Sequence, residues 1–298
     1  MGFDLEERLA VWKTQVETFL DVMLPPKNTF PQPLFDSVRY SLFAGGKRIR
    51  PAFAFAAAEA VGGEPRVVLP FAAAIEMIHT YSLIHDDLPA MDDDDLRRGK
   101  PTNHVLFGEG MAILAGDALL TDAFALLSRP EVVASRSPEV VLRVISEVAR
   151  GAGTAGMVGG QALDLVSEGR EVDLPTLEFL HTHKTGALIR TAAVVGGLVG
   201  GGDELALRHL ALYGERLGLA FQIADDVLDV EGSAELIGKP VGSDEGLRKA
   251  TYPALFGIAE SKKRAAELMA AAIDCLEPFG EKGEALEALA RFVVERQN

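Results

Sequence analysis

The stretches FAAAIEMIHTYSLIHDD (71–87) and LALYGERLGLAFQIADDVLD (210–229) share one design: an apolar helix that runs straight into a pair of aspartates. Strand-like alternation is absent from both, and Ala, Leu and Glu recur elsewhere with helical spacing. Two such helices place acidic ends at one opening of a helical bundle, where ligand sites form. The reading is an all-α fold.

Outward from these two stretches, the periodicity predicts helices over 3–23, 33–44, 51–62, 67–88, 105–128, 137–149, 152–168, 175–200, 203–231, 248–259, 261–277 and 282–296. Breaks fall at Pro25-Pro26, Gly62-Gly63, Gly99-Lys100-Pro101, Arg129-Pro130, Gly200-Gly201-Gly202 and Gly232-Ser233. No long Ser/Gly/Pro linker divides the 298 residues, so a single domain, 1–298, is expected. The 44 acidic and 29 basic side chains give a formal net charge of −15, which excludes non-specific nucleic-acid binding. An acidic chain that binds an anion needs local cations, as Lys/Arg clusters or metal ions. Cys275 is the only cysteine, so no intramolecular disulfide forms and a reducing cytoplasm is the expected location. The acidic N-terminus lacks signal-peptide character, and Thr191–Gly202, read as the longest uncharged apolar stretch, is too short to span a bilayer. No membrane span is expected.

Asp225 and Asp229 stand at i and i+4, so their carboxylates share a helix face, with Gln222 on the same stripe. A hard divalent cation with oxygen ligands would offset their repulsion. The first cluster is denser, with Asp86, Asp87, Asp92, Asp93, Asp94 and Asp95 inside ten residues. It is not a calcium EF-hand loop: counting from Asp86 or Asp92 puts Met91 or Arg97 where glycine is required, and Arg97 or Asn103 where glutamate is required. Pro89 should break the helix, and either Asp92 (i+6) or Asp93 (i+7) could face a metal beside Asp86. Arg97, Arg98 and Lys100 come at once after it, an arrangement of acids beside bases that suits a metal-bridged diphosphate.

Further cations sit in Gly45-Gly46-Lys47-Arg48-Ile49-Arg50-Pro51, a glycine turn leading into a helix, where a phosphate site and an ordinary basic turn are equally consistent. The Walker A pattern is absent, so ATP is not implied. Lys184 continues the apolar stripe Leu177, Leu180, Leu188, a costly place for a lysine unless it meets an anion. His79 is two turns before Asp86 on the same face, whereas His85, His104, His181 and His183 read as structural.

In their joint order, GGKRIRP (45–51), IHDDLPAMD (84–92), LRRGKPT (96–102), KTGAL (184–188), FQIADDVLD (221–229) and GKP (238–240) resemble the bacterial short-chain trans-isoprenyl diphosphate synthases, farnesyl-forming members in particular. The resemblance covers nearly the whole chain. It implies the isoprenoid synthase bundle, ten or more helices around a deep central pocket, and a homodimer. It further implies that Asp86, Asp92, Asp225 and Asp229, supported by Asp87 and Asp226, hold three Mg²⁺ (Mn²⁺ being the alternative) on the diphosphate of an allylic substrate. Arg97, Lys184 and Lys239 would contact that diphosphate, and Lys47, Arg50, His79 and Arg98 that of isopentenyl diphosphate. Thr185 and Gln222 would face the allylic cation. Arg248, where the family pattern has glycine, leaves Lys249 without an assigned role.

The implied reaction is ionisation, condensation and proton loss, with small isoprenoid diphosphates as substrates. Tyr81 and Ser82, a turn or so below Asp86, are candidates to limit product length; a core tyrosine without that role is the alternative. Geranylgeranyl diphosphate synthase differs from the farnesyl enzyme only in pocket depth. A class I terpene cyclase would carry an Asn/Ser/Glu-type second metal motif, and a silent partner subunit would have lost aspartates. Both clusters here are intact.

Overall fold

The computed structural model describes residues 4–26, 28–170, 172–231 and 251–295. Helix α1 (Leu5–Met23) starts at Asp4, whose carboxylate accepts the Glu7 N–H. Next come α2 (Gln32–Leu42), α3 (Ile49–Ala60) and α4 (Pro65–Asp86). A two-residue antiparallel hairpin, β1 (Leu96–Arg97) with β2 (Lys100–Pro101), pairs Leu96 with Pro101 and Arg97 with Lys100. The chain then forms α5 (Asn103–Phe107), α6 (Glu109–Leu127), α7 (Pro130–Ala134), α8 (Pro138–Ala152), α9 (Met157–Ser167) and α10 (Leu174–His181). After a π-helical turn (Thr182–Gly186) come α11 (Ala187–Gly200), α12 (Glu204–Glu231), α13 (Tyr252–Phe256) and α14 (Ile258–Asp274). A 3₁₀ stretch (Glu277–Gly283) leads into α15 (Glu284–Val294).

The all-α reading holds, with four local differences. The helix expected over 105–128 is two, divided at Gly108, whose φ of 83° lies where only glycine is unstrained. The helix expected over 175–200 is interrupted by the π turn, which inserts one residue per turn and re-aims α11 beyond it. Pro130 begins the short α7 rather than marking a plain break, because proline suits the first helical turn. Of 248–259, the described part is α13, then Gly257 at φ 77°, then the start of α14.

Helices α3 and α11 form the centre. Every residue of α3 from Pro51 to Ala60 except Glu59 is buried, and its alanines admit close helix neighbours. On one side α3 meets α4, which packs on α6; on the other α11 meets α12, which packs on α14. Trp12 stacks on Phe55 at 5.8 Å, joining α1 to α3. The Tyr213 hydroxyl donates to the Leu286 carbonyl at 2.7 Å, joining α12 to α15.

Two helices, Pro65–Asp86 and Glu109–Leu127, are long and apolar enough to cross a membrane by length and composition, although each carries charged residues, which Thr191–Gly202 lacks. The apolar window of α4 is 67 % buried inside the protein, which marks a core helix; that of α6 is 39 % buried.

Candidate active site

The first acidic cluster follows the end of a buried helix, and the second lies inside another. Helix α4 stops at Asp86, before Pro89, and the chain folds back on itself: the Asp92 N–H donates to the Asp86 carbonyl at 2.9 Å, and the Asp93 N–H to that of Leu88 at 3.1 Å. This tight return, not straight-helix phase, decides which aspartate joins Asp86. Asp93 takes φ 53° and is exposed, whereas Asp92 lies near enough to raise the Asp86 pKa. Burial is the larger cause; with Asp92 and Asp87 it pushes the Asp86 carboxyl up to about 6, against Lys184 and Arg97.

The hairpin then carries two arginines to different places. Arg97 returns over Asp87, which is 3 % exposed, with Nε donating at 2.7 Å and Nη2 at 2.6 Å to Oδ1. Arg98, at φ 54°, sends its guanidinium the other way, to the Gly45 carbonyl. The Gly45–Arg50 turn is thereby joined to the first cluster. Arg50 Nη1 donates to His79 Nε2 at 3.0 Å. Burial, then the charges of Arg50, Arg98, Arg97 and Arg48, hold His79 well below its usual pKa, so it stays a neutral acceptor. Lys47 is exposed and rests over the Phe292 ring at 4.8 Å.

The second cluster lies within α12, where its three aspartates face different surroundings. Asp226, 2 % exposed, accepts from His181 Nε2 at 2.9 Å, the Tyr252 N–H at 3.0 Å and Gln222 Nε2 at 3.2 Å. It fastens α12 to α10 and α13. Asp225 is half-buried and within electrostatic reach of Arg50; Asp229 is buried. The Gln222 carbonyl accepts the Thr185 hydroxyl at 2.7 Å.

Lys184 and Thr185 lie in the π turn, and Lys184 Nζ bonds Asp164 Oδ2 at 2.6 Å. The anion that this lysine needed is therefore supplied first by the chain itself. Asp164 went unnoticed in the sequence, as did Gln161 one turn earlier, whose buried amide oxygen and nitrogen lack hydrogen-bond partners. Like Lys184, both are polar residues on an apolar helix face, within GGQALDL (159–165), and that signal could have found them. Gly160 lets α9 press on the π turn: a Cβ there would come within 2.2 Å of the Lys184 backbone nitrogen. Gly160→Ala is expected to shift Lys184 and Thr185 and lower kcat/KM by about 100-fold, the usual scale for a 1 Å displacement, measured by steady-state kinetics.

Tyr81 is 6 % exposed and meets His85 edge-on at 5.7 Å; burial, then the Asp86 charge, pushes its hydroxyl up to about 12. The Ser82 hydroxyl is turned back to the His79 carbonyl at 2.9 Å. Lys239, Arg248 and Lys249 lie outside the described residues.

Among the described residues no three His, Cys, Asp or Glu side chains converge into a metal cage. The oxygen donors are instead divided between the end of α4 and the α12 segment 225–229, with the Asp86 carboxyl raised by burial first and by Asp92 and Asp87 besides. Such a set fits Mg²⁺, which keeps one or two carboxylates and takes its other oxygens from water and phosphate.

A profile of the family described as polyprenyl synthetase matches residues 31–290. The chain belongs to that family. It is 50 % identical to the farnesyl diphosphate synthase of Geobacillus stearothermophilus, over 99 % of this chain and 98 % of that one. With the geranylgeranyl diphosphate synthase of Cyanophora paradoxa it shares 47 % identity over 100 % and 98 %. A Helicobacter pylori geranyltransferase solved with magnesium and isoprenyl diphosphate superposes with a TM-score of 0.88, at 32 % identity and 99 % coverage of each chain. The chain is thus a prenyltransferase with the all-α isoprenyl synthase fold.

Proposed function

We propose that this enzyme condenses dimethylallyl or geranyl diphosphate with isopentenyl diphosphate, releases diphosphate, and stops at farnesyl diphosphate. The observation that supports the reading is that each cluster has opposite charge beside it: Asp86 within electrostatic reach of Lys184, and Asp225 within electrostatic reach of Arg50.

In this reading Asp86, Asp92, Asp225 and Asp229 would hold Mg²⁺, three ions by family resemblance. Asp87 orients Arg97, and Asp226 holds α12 in place for its neighbours. When bound, the cations supply Lewis-acid stabilisation of the departing diphosphate. Arg97, Lys184 and Lys239 bind that group and stabilise its charge as the allylic C–O bond breaks and the electron pair leaves on oxygen. Lys47, Arg50, His79 and Arg98 hold the second diphosphate, that of isopentenyl diphosphate, so that its double bond attacks the allylic carbon. A proton then passes to the released diphosphate. Gln222, held by Asp226, accepts the Thr185 hydroxyl's hydrogen bond, which leaves the Thr185 oxygen's lone pairs to face positive charge. The apolar interior keeps water from the cation.

Tyr81, buried below Asp86, supports a farnesyl product. The geranylgeranyl reading is favoured by the 47 % identical relative. The exposed apolar residues Ile113 and Leu114 on α6, with Val105 and Leu106 on α5, support a homodimer; one domain and a cytoplasmic location complete the proposal.

Purified protein with Mg²⁺, labelled isopentenyl diphosphate and either allylic substrate should yield a labelled C15 product, and EDTA should end turnover. No turnover with either allylic diphosphate would overturn the reading, and a C20 product would select the geranylgeranyl alternative.

A further inference from the structure

Lys47 and Arg50 flank Arg48, which differs from both in being enclosed. Its side chain is 1 % exposed, and Nη1 donates to Glu76 Oε1 at 2.8 Å, Nη2 to the Leu42 carbonyl at 2.6 Å and Nε to Glu17 Oε1 at 3.1 Å. Its backbone takes φ 52° and ψ 43°, a left-handed conformation that a non-glycine residue adopts only when its surroundings hold it there. Glu76 is equally enclosed, its side chain 3 % exposed, and its second oxygen, Oε2, has no hydrogen-bond partner.

These contacts close a circuit. Glu76 stands one turn before His79 on α4; His79 accepts from Arg50; and Arg50 lies two residues along the chain from Arg48. The turn is therefore tied to α4 at two points, one enclosed and one facing the site. Arg98 attaches at the same place, donating to Gly45 and lying against Gly46, where a Cβ would sit 2.6 Å from its guanidinium. Gly46 has φ 116°, and that backbone angle is what requires glycine in the turn. The Glu76 charge also favours the protonated forms of Arg50 and Arg98 against their burial.

We infer that Arg48 and Glu76 are positioning residues for the isopentenyl diphosphate subsite: without touching substrate, the enclosed pair locks the Gly45–Arg50 turn to α4 and sets where Arg50 and Arg98 meet the diphosphate. The inference rests on the proposed assignment of that subsite. A buried ion pair is weak as a source of stability compared with an apolar pair of similar size, so a role in geometry accounts for it better than a role in folding.

That contrast supplies the test. Arg48→Met/Glu76→Leu replaces the pair with apolar side chains and should melt within a few degrees of the parent by circular dichroism. Its KM for isopentenyl diphosphate should rise about tenfold, while KM for geranyl diphosphate and kcat stay within about twofold. Glu76→Gln, which keeps the shape and removes the charge, should show the same selective rise and decides the matter if the double variant does not fold. An unchanged KM for isopentenyl diphosphate in a folded variant, or equal rises for both substrates, would overturn the inference. Arg50→Ala separates the two levels. If it raises the isopentenyl KM while the pair variants do not, the positioning role alone fails; if it raises only the geranyl KM, the subsite assignment fails with it.

Discussion

Asp225→Ala is expected to lower turnover by roughly a thousandfold, about 4 kcal/mol of transition-state stabilisation, with the fold intact. Asp225 is half-buried at the mouth, and the neighbouring Asp226, not Asp225, carries the bonds to His181 and Tyr252 that hold α12 to α10 and α13. Removing Asp225 therefore takes charge from the site while the Asp226 bonds to α10 and α13 stay in place. Asp86→Ala should act similarly from the other mouth. Asp226→Asn should behave differently. It weakens a buried network, so a lower melting temperature should accompany its loss of activity. Turnover at saturating substrate across a Mg²⁺ titration, beside thermal melts, distinguishes the two. Near-normal turnover in Asp225→Ala would defeat the view that both mouths bind one diphosphate.

Tyr81→Ala is expected to move the main product from C15 to C20. Tyr81 lies five residues before Asp86 on α4, about 7.5 Å along the axis at the usual rise, and is buried on that helix. Shortening it opens space below the allylic site for another isoprene unit. The cavity should cost of order 3 kcal/mol of stability, so Tyr81→Met, which retains more volume, is the companion variant. Ser82→Ala should change product length little, because its hydroxyl is already spent on the His79 carbonyl. Chromatography of dephosphorylated products measures this, and an unchanged C15 product in both Tyr81 variants would leave Tyr81 as a packing residue only.

Much of this was legible in the order of residues. Apolar periodicity marked the helices, and the Asp225–Asp229 spacing put two carboxylates on one face, because both are local properties of a 3.6-residue turn. Lys184 betrayed itself as a charge on an apolar stripe. The π turn did not, since it depends on α9 pressing in at Gly160. Asp164 and Gln161 were missed because their meaning depends on Lys184, twenty or so residues away in sequence.

By itself, then, the sequence determined the helical class, the two acidic mouths and the cations that answer them, all of which arise from spacing along single segments. Only the tertiary structure showed that Asp92 lies within electrostatic reach of Asp86 while Asp93 is exposed, because that placement is made in a non-helical turn after Asp86. It alone separated Asp226, held by three protein donors, from Asp225, and Arg48, enclosed on Glu76, from Arg50 beside the site. Identical side chains one or two residues apart differ only in what surrounds them, and those surroundings come from helices distant in the chain.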